Sequence, residues 1–193
     1  MKKIALCGNI ASGKSTVQEI IQKQGYKVLD TDDVAHRLLT INNKKLYENF
    51  KDYDVFKNGE FSRQKVARLI FNDEIEKNKI ESIMHPQIEN EINIFFNTYS
   101  GEKLLFVGIP LLFEAKMEKL FDKIIFIYAD DDIRLKRLLK RNNYTLDHAK
   151  ARISCQMPQK DKAGKSDFVI NNNSSLENLK TAVLEVLKNL ETT

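Results

Sequence analysis

Lys3-Ile4-Ala5-Leu6-Cys7-Gly8-Asn9-Ile10-Ala11-Ser12-Gly13-Lys14-Ser15-Thr16 decides the fold. The first five residues are a short apolar run that stops at a glycine, the pattern of a strand buried on both faces. Gly8 to Ser15 fits G-x-x-x-x-G-K-[ST] in full. Each residue type in that pattern has a physical task. Glycines at Gly8 and Gly13 let the backbone turn so that the amides of Ala11, Ser12, Gly13, Lys14, Ser15 and Thr16 can face phosphate oxygens. A helix opening at Lys14 adds its positive end. Lys14 brings a compact charge to the outer phosphates of a nucleotide, and the Ser15 hydroxyl can ligate Mg²⁺.

Working outward, residues 14–24 carry Val17, Ile20 and Ile21 at helical spacing, and Gly25 is placed to end the helix. Residues 27–29 read as a second strand that stops at Asp30. Strand, glycine loop, helix and strand make one βαβ unit. Residues 33–100 read as helical throughout, with a turn at Gly59 and a kink or split expected at His85-Pro86. Apolar runs at 104–109, 124–129 and 168–170 read as further strands. Helices are expected at 131–142, at 146–157 behind a Thr145 cap, and at 175–190.

Strands alternating with helices predict an α/β fold: a phosphate-loop NTPase-like parallel sheet flanked by helices, with a helical insert and a helical lid. The expected divisions are a nucleotide-binding core of 1–31, 101–133 and 166–193, a helical acceptor insert of 32–100, and a lid of 134–165.

Composition narrows the partners. The 193 residues hold 31 Lys and Arg against 27 Asp and Glu, a net charge of +4 spread among acids. That suits a small anionic ligand and does not draw a nucleic-acid stripe. Cys7 and Cys155 are too isolated for a metal site or a disulfide framework, which fits reduced thiols in a cytoplasmic protein. No window reaches the roughly 18 apolar residues of a membrane span. A monomer acting on a small-molecule substrate, with no nucleic-acid or membrane partner, is the expected state.

The phosphate loop fixes phosphate binding and leaves the reaction open. No N-K-x-D stretch supports a guanine-specific switch. The chain-wide pattern resembles the dephospho-CoA kinase family. LCGNIASGKSTV is similar to that family's opening, and Asp30-Thr31-Asp32 with Ala35 to its D-A-D-x-x-A. Gly59, Phe61, Arg63 and Phe71 match a further pattern, and Glu81 with Ile83-Met84-His85-Pro86 resembles L-E-x-I-x-H-P. Pro110-Leu111-Leu112-Phe113-Glu114 is the family's P-L-L-F-E unchanged. Arg134, Arg137, Arg141, Arg152, Gln156, Lys160 and Asp167 fall at its spacings. The likeness spans about residues 3 to 171.

The resemblance implies transfer of the γ-phosphoryl of ATP, with Mg²⁺, to the ribose 3′-hydroxyl of dephospho-CoA. It implies Asp32 as the general base, Lys14 and Arg141 as cations on the transferred group, and His85, Pro86 and Arg137 at the acceptor. Asn171 would border the adenine. Arg134, Arg137 and Arg141 recur at i, i+3 and i+7 and share a helical face. Gly108 departs from the pattern, since many relatives carry Asp there. Other readings stay open on the residues alone. Asp30 and Asp32 could only stabilise a helix N-terminus, and the arginine face could be a solvated surface. Another phosphate-loop kinase, of a nucleoside monophosphate or a sugar acid, is one alternative. A non-enzymatic ATP-dependent binder is another.

Overall fold

The computed structural model describes residues 1–142 and 144–192, and for Asn72, Arg141 and Asn142 the backbone alone. In chain order the elements are β1 Lys2–Gly8, α1 Lys14–Lys23, β2 Lys27–Asp30, α2 Thr31–Leu38 and α3 Lys44–Phe50. Next come β3 Phe56–Lys57, β4 Glu60–Phe61, α4 Arg63–Asn72, α5 Glu74–Thr98 and β5 Leu104–Gly108. Then follow β6 Lys123–Tyr128, α6 Asp131–Asn142, α7 Leu146–Ser154, α8 Gln159–Gly164, β7 Phe168–Asn171 and α9 Leu176–Thr192.

The described residues form two compact units. The first comprises Met1–Asp30 and Phe96–Thr193, the second Thr31–Phe95. In the first unit β2-β5-β1-β6-β7 pair in that order, every pair parallel. The expected α/β sheet is therefore present, with its apolar strands in the interior positions. Ile4, Leu6, Phe106, Ile125 and Ile127 are all fully buried, as continuous apolar strands must be when helices cover both faces. Val17 and Ile21 from α1 and Val183 and Leu187 from α9 join the same core. Burial of each such side chain contributes about 1.5–3 kcal/mol. In register Leu6 lies opposite Gly108, Gly108 opposite Asp30, and Gly8 opposite Ile127. The carboxyl ends of β1, β2 and β5 thus meet at one edge, where open α/β sheets bind ligands.

The helix signals hold closely in this unit. Gly25 takes φ +91 after α1 and returns its N–H to the Gln22 carbonyl. The Thr145 hydroxyl accepts from the His148 N–H and caps α7 as expected, although α7 ends at Ser154, ahead of the predicted 157.

The second unit departs from an all-helical 33–100 in the stretches that link its helices, above all between α3 and α4. Asn58 and Gly59 both take positive φ, 54 and 81, and turn the chain between β3 and β4, where Phe56 pairs with Phe61. Two such residues in succession make the tight hairpin turn that matches strand twist, so a two-stranded ribbon replaces the expected simple turn. Pro86 also does not split α5, which runs 25 residues from Glu74 to Thr98. A proline removes one backbone donor. Ile80, Ile83 and Met84 before it and Ile88 after it pack into one cluster with Leu46, Phe50, Val55 and Val66. That packing on both sides of the proline outweighs the lost bond.

Candidate active site

The phosphate loop occupies residues 8–15, between β1 and α1. Ser12 N–H donates to the Asn9 carbonyl at 3.0 Å, Ala11 takes φ 62 and Gly13 takes φ 101. Gly13 takes the positive φ that favours glycine, and a side chain there would meet the Asn172 amide nitrogen at 2.1 Å and push it from the Ser12 carbonyl.

The loop's carbonyls are tied down one after another. Arg134 Nε donates to the Ile10 carbonyl at 3.0 Å, and Arg137 Nη1 approaches the Ala11 and Ser12 carbonyls at 3.4 and 3.3 Å. Asn172 Nδ2 donates to the Ser12 carbonyl at 2.7 Å, and Arg137 Nη2 to the Asn172 carbonyl at 3.0 Å. From the other side the Ile10 N–H donates to Gln156 Oε1 at 2.7 Å, and Asn9 Nδ2 to the Met157 carbonyl at 2.9 Å. In a trans peptide the N–H points opposite to the carbonyl it adjoins. Holding the carbonyls of Ala11 and Ser12 therefore aims the N–H groups of Ser12 and Gly13 away from the arginines. Among the described residues buried Ser12 Oγ and Arg134 Nη2 find no hydrogen-bond partner, the mark of a polar site shaped for more than its own groups.

Lys14 opens α1 and is 8% exposed. Its ammonium donates to Asp30 Oδ2 at 3.0 Å and to Gln18 Oε1 at 3.1 Å, while Gln18 Nε2 donates to the same Asp30 oxygen at 2.8 Å. Ser15 follows with an exposed hydroxyl and Thr16 is half-buried. Among the described residues no cluster of three or more His, Cys, Asp or Glu is shaped to hold a metal ion. A magnesium ion that arrives with a nucleotide needs only one or two protein oxygens beside phosphate and water, and the Ser15 hydroxyl fits that demand.

Arg134 is 1% exposed, and its guanidinium also pairs with Asp131 at 2.7 Å. Burial lowers its pKa, an effect that Asp131 partly offsets. Arg134 and Arg137 thus turn inward onto the loop. Arg137 spends both of its terminal nitrogens on loop and Asn172 oxygens. The side chain of Arg141, expected to reach the transferred group, lies outside the described residues. Asn171 ends β7, is exposed, and accepts the Asn173 N–H at 3.0 Å. In the second unit Asp32 is exposed in the first turn of α2, two residues after Asp30. His85 is half-buried and Pro86 exposed, both within α5.

Asn172 and Gln18 take part in the site without having been singled out for it. Two signals were available. Gln18 stands four residues after Lys14, on the same helical face. Asn172 stands two residues after core-facing Ile170, so strand alternation turns it inward.

The family model for dephospho-CoA kinase matches residues 2–178. The chain belongs to the dephospho-CoA kinase family. A dephospho-CoA kinase of Listeria innocua is 39% identical, over 97% of this chain and 96% of that one. One from Geobacillus kaustophilus is 36% identical, over 96% and 94%. Among solved structures, a Thermus thermophilus protein superposes with TM-score 0.85 at 32% identity, covering 98% of this chain and 97% of the other. A dephospho-CoA kinase from Campylobacter jejuni gives 0.72 at 30% identity, with the same coverage. A shikimate kinase from Bacteroides thetaiotaomicron gives 0.56 at 14% identity over 98% of each chain, a likeness of fold alone. The expected phosphate-loop kinase fold and the family resemblance are both borne out.

Proposed function

We infer that this chain is a dephospho-CoA kinase, moving the γ-phosphoryl of ATP to the ribose 3′-hydroxyl of dephospho-CoA with release of CoA and ADP. The observation that carries the reading is the braced phosphate loop with Lys14 at the head of α1, in a chain that matches the family from residue 2 to 178.

Charge in this reaction spreads over the oxygens of the transferred group, so the protein's work is positioning and electrostatic stabilisation. The loop amides from Ala11 to Thr16 hold the β- and γ-phosphates, that of Ser12 on exchanging the Asn9 carbonyl for phosphate, and Gly8 lets the chain turn into them. Lys14 offsets charge on the bridging and terminal oxygens. Asp32 accepts the 3′-hydroxyl proton as that oxygen bonds to phosphorus and the bond to ADP breaks. Asp32 is exposed on the first turn of α2. Arg141 supplies a further cation to the transferred group, His85 and Pro86 border the acceptor, and Asn171 borders the adenine. Arg137 adds its charge at the acceptor side. Mg²⁺ ligated by Ser15 would neutralise phosphate charge when bound.

Both thiols are unbridged, in keeping with a cytoplasmic setting, and among the described residues no helix is long and apolar enough to cross a membrane. A monomer suffices for every role named here. The test is ADP release with ATP and dephospho-CoA, compared with AMP, CMP, shikimate and gluconate. Preference for dephospho-CoA is expected, and faster turnover of another acceptor would replace the assignment.

A further inference from the structure

Gly108 ends β5 directly opposite Asp30 in the sheet register, with no positive φ that would demand a glycine. The reason for glycine lies in what occupies the space. A Cβ built at Gly108 would stand 2.2 Å from Gln18 Nε2, 2.8 Å from Gln18 Cδ and 3.1 Å from Lys14 Nζ. Gln18, 5% exposed, fills the place that a side chain at 108 would take.

From that place Gln18 reaches both charges of the neighbouring ion pair. Its carbonyl oxygen accepts from the Lys14 ammonium and its amide nitrogen donates to Asp30, closing a three-membered ring with the 3.0 Å Lys14–Asp30 bond. The amide cannot turn over without setting its NH₂ against an ammonium and its oxygen against a carboxylate. The ring therefore has one sense and fixes the Lys14 side chain where α1 begins.

We propose that Gln18 is a positioning residue for Lys14, and that Gly108 is the vacancy that admits it, so that the two positions act as one coupled pair. The proposal rests on the phosphate-transfer reading above. An added methyl at 108 meets only the far ends of two flexible side chains, Gln18 first and the Lys14 ammonium at 3.1 Å, so the fold can absorb it by expelling Gln18. The ammonium then keeps Asp30 but loses the Gln18 contact that helps set its direction.

The test is a cycle of Gln18→Ala, Gly108→Ala and the double variant, with Gln18→Met as a control for volume. Initial rates give kcat/KM for ATP and the KM for dephospho-CoA, and calorimetry gives ATP affinity with no acceptor present. Each single variant should lower kcat/KM for ATP about tenfold, the loss set by one hydrogen bond to a charged group. ATP affinity should weaken in parallel, while the KM for dephospho-CoA stays unchanged. The double variant should be no worse than the poorer single variant, since both remove the same contact. Losses that multiply to about a hundredfold, or a Gln18→Met enzyme that behaves as wild type, would overturn the proposal. If the wild-type protein transfers no phosphate to dephospho-CoA, the functional reading falls. The cycle in ATP affinity then still decides the pairing.

Discussion

Asn172, just past the end of β7, donates its side-chain amide to the carbonyl of Ser12 across 2.7 Å, joining the last strand of the sheet to the phosphate loop at the chain's other end. Arg137 braces the same point through the Asn172 carbonyl at 3.0 Å. Asn172→Ala should leave the Ser12 carbonyl to Arg137 alone and let the loop's amides wander. The expected result is a KM for ATP raised about tenfold, with the KM for dephospho-CoA unchanged. Melting should fall by about 2–6 °C, as losing one buried hydrogen bond costs about 1–2 kcal/mol in a chain of this size. A KM for ATP within twofold of wild type would mean that the loop holds its shape without this brace.

Lys14→Ala removes the ammonium and leaves Asp30 facing the Gln18 amide. The buried partners make folding tolerant of the change, because Asp30 keeps a donor. If the cation meets charge that develops in the transition state, turnover should fall on the order of 10³-fold or more. Circular dichroism checks the fold and single-turnover kinetics the chemistry. Unimpaired phosphoryl transfer would remove Lys14 from the mechanism.

Asp32→Asn keeps the size of an exposed side chain and deletes its basicity. If Asp32 takes the 3′-hydroxyl proton, kcat should drop by about 10²–10⁴ while ATP affinity, measured separately by calorimetry, holds. A change confined to KM would make Asp32 a binding group instead. The bland alternative, an acid that only favours the N-terminus of α2, predicts a small stability loss and normal kcat.

Some of these residues could be read from the sequence and some could not, for physical reasons. Gly8 to Thr16 were legible because phosphate binding by backbone amides demands glycine, lysine and a hydroxyl at fixed spacing. β5 and β6 were legible because a strand covered on both faces has almost no polar residues. The hairpin at Asn58-Gly59 was missed because strands of two residues carry no periodicity, and the turn was all the sequence displayed. Gln18 was missed because its partner position is a glycine 90 residues away, and an empty space leaves no side chain to notice. The inward turn of Arg134 was hidden for a similar reason. Spacing put it on a helical face but could not show that the Ile10 carbonyl lies against that face.

Cys7 and Cys155 should differ sharply toward thiol reagents. Cys7 lies fully buried in β1, and burial pushes its pKa up to about 12, with the Lys162 ammonium opposing only in part. At pH 8 its thiolate fraction is then on the order of one in ten thousand, and the reagent cannot reach it. Cys155 is exposed at the end of α7. A chromogenic disulfide should titrate one thiol in the native protein and the second only after denaturant. Rapid reaction of both would show that β1 opens far more readily than a central strand should.

Asp167 joins the starts of β6 and β7. Its carboxylate accepts from Lys123 Nζ at 2.7 Å and from the Ile124 N–H at 2.8 Å. Desolvation alone would raise its pKa, but the Lys123 and Ile124 hydrogen bonds and the Lys123 charge together outweigh it and hold the group below its ordinary 3.8. A carboxylate whose pKa is depressed by folding contributes stability that is present above the unfolded-state value and lost as pH falls through the folded one. Asp167→Asn should therefore cost about 1 kcal/mol at pH 7, a figure that allows for solvent screening of a partly exposed pair. The gap between variant and wild type should narrow once the pH drops below 3.8, as wild-type Asp167 takes up its proton. Urea unfolding at pH 7 and at successively lower pH measures it. A gap that stays constant over that range would mean that the charge on Asp167 does nothing for the β6–β7 pairing and that only its hydrogen-bonding shape matters.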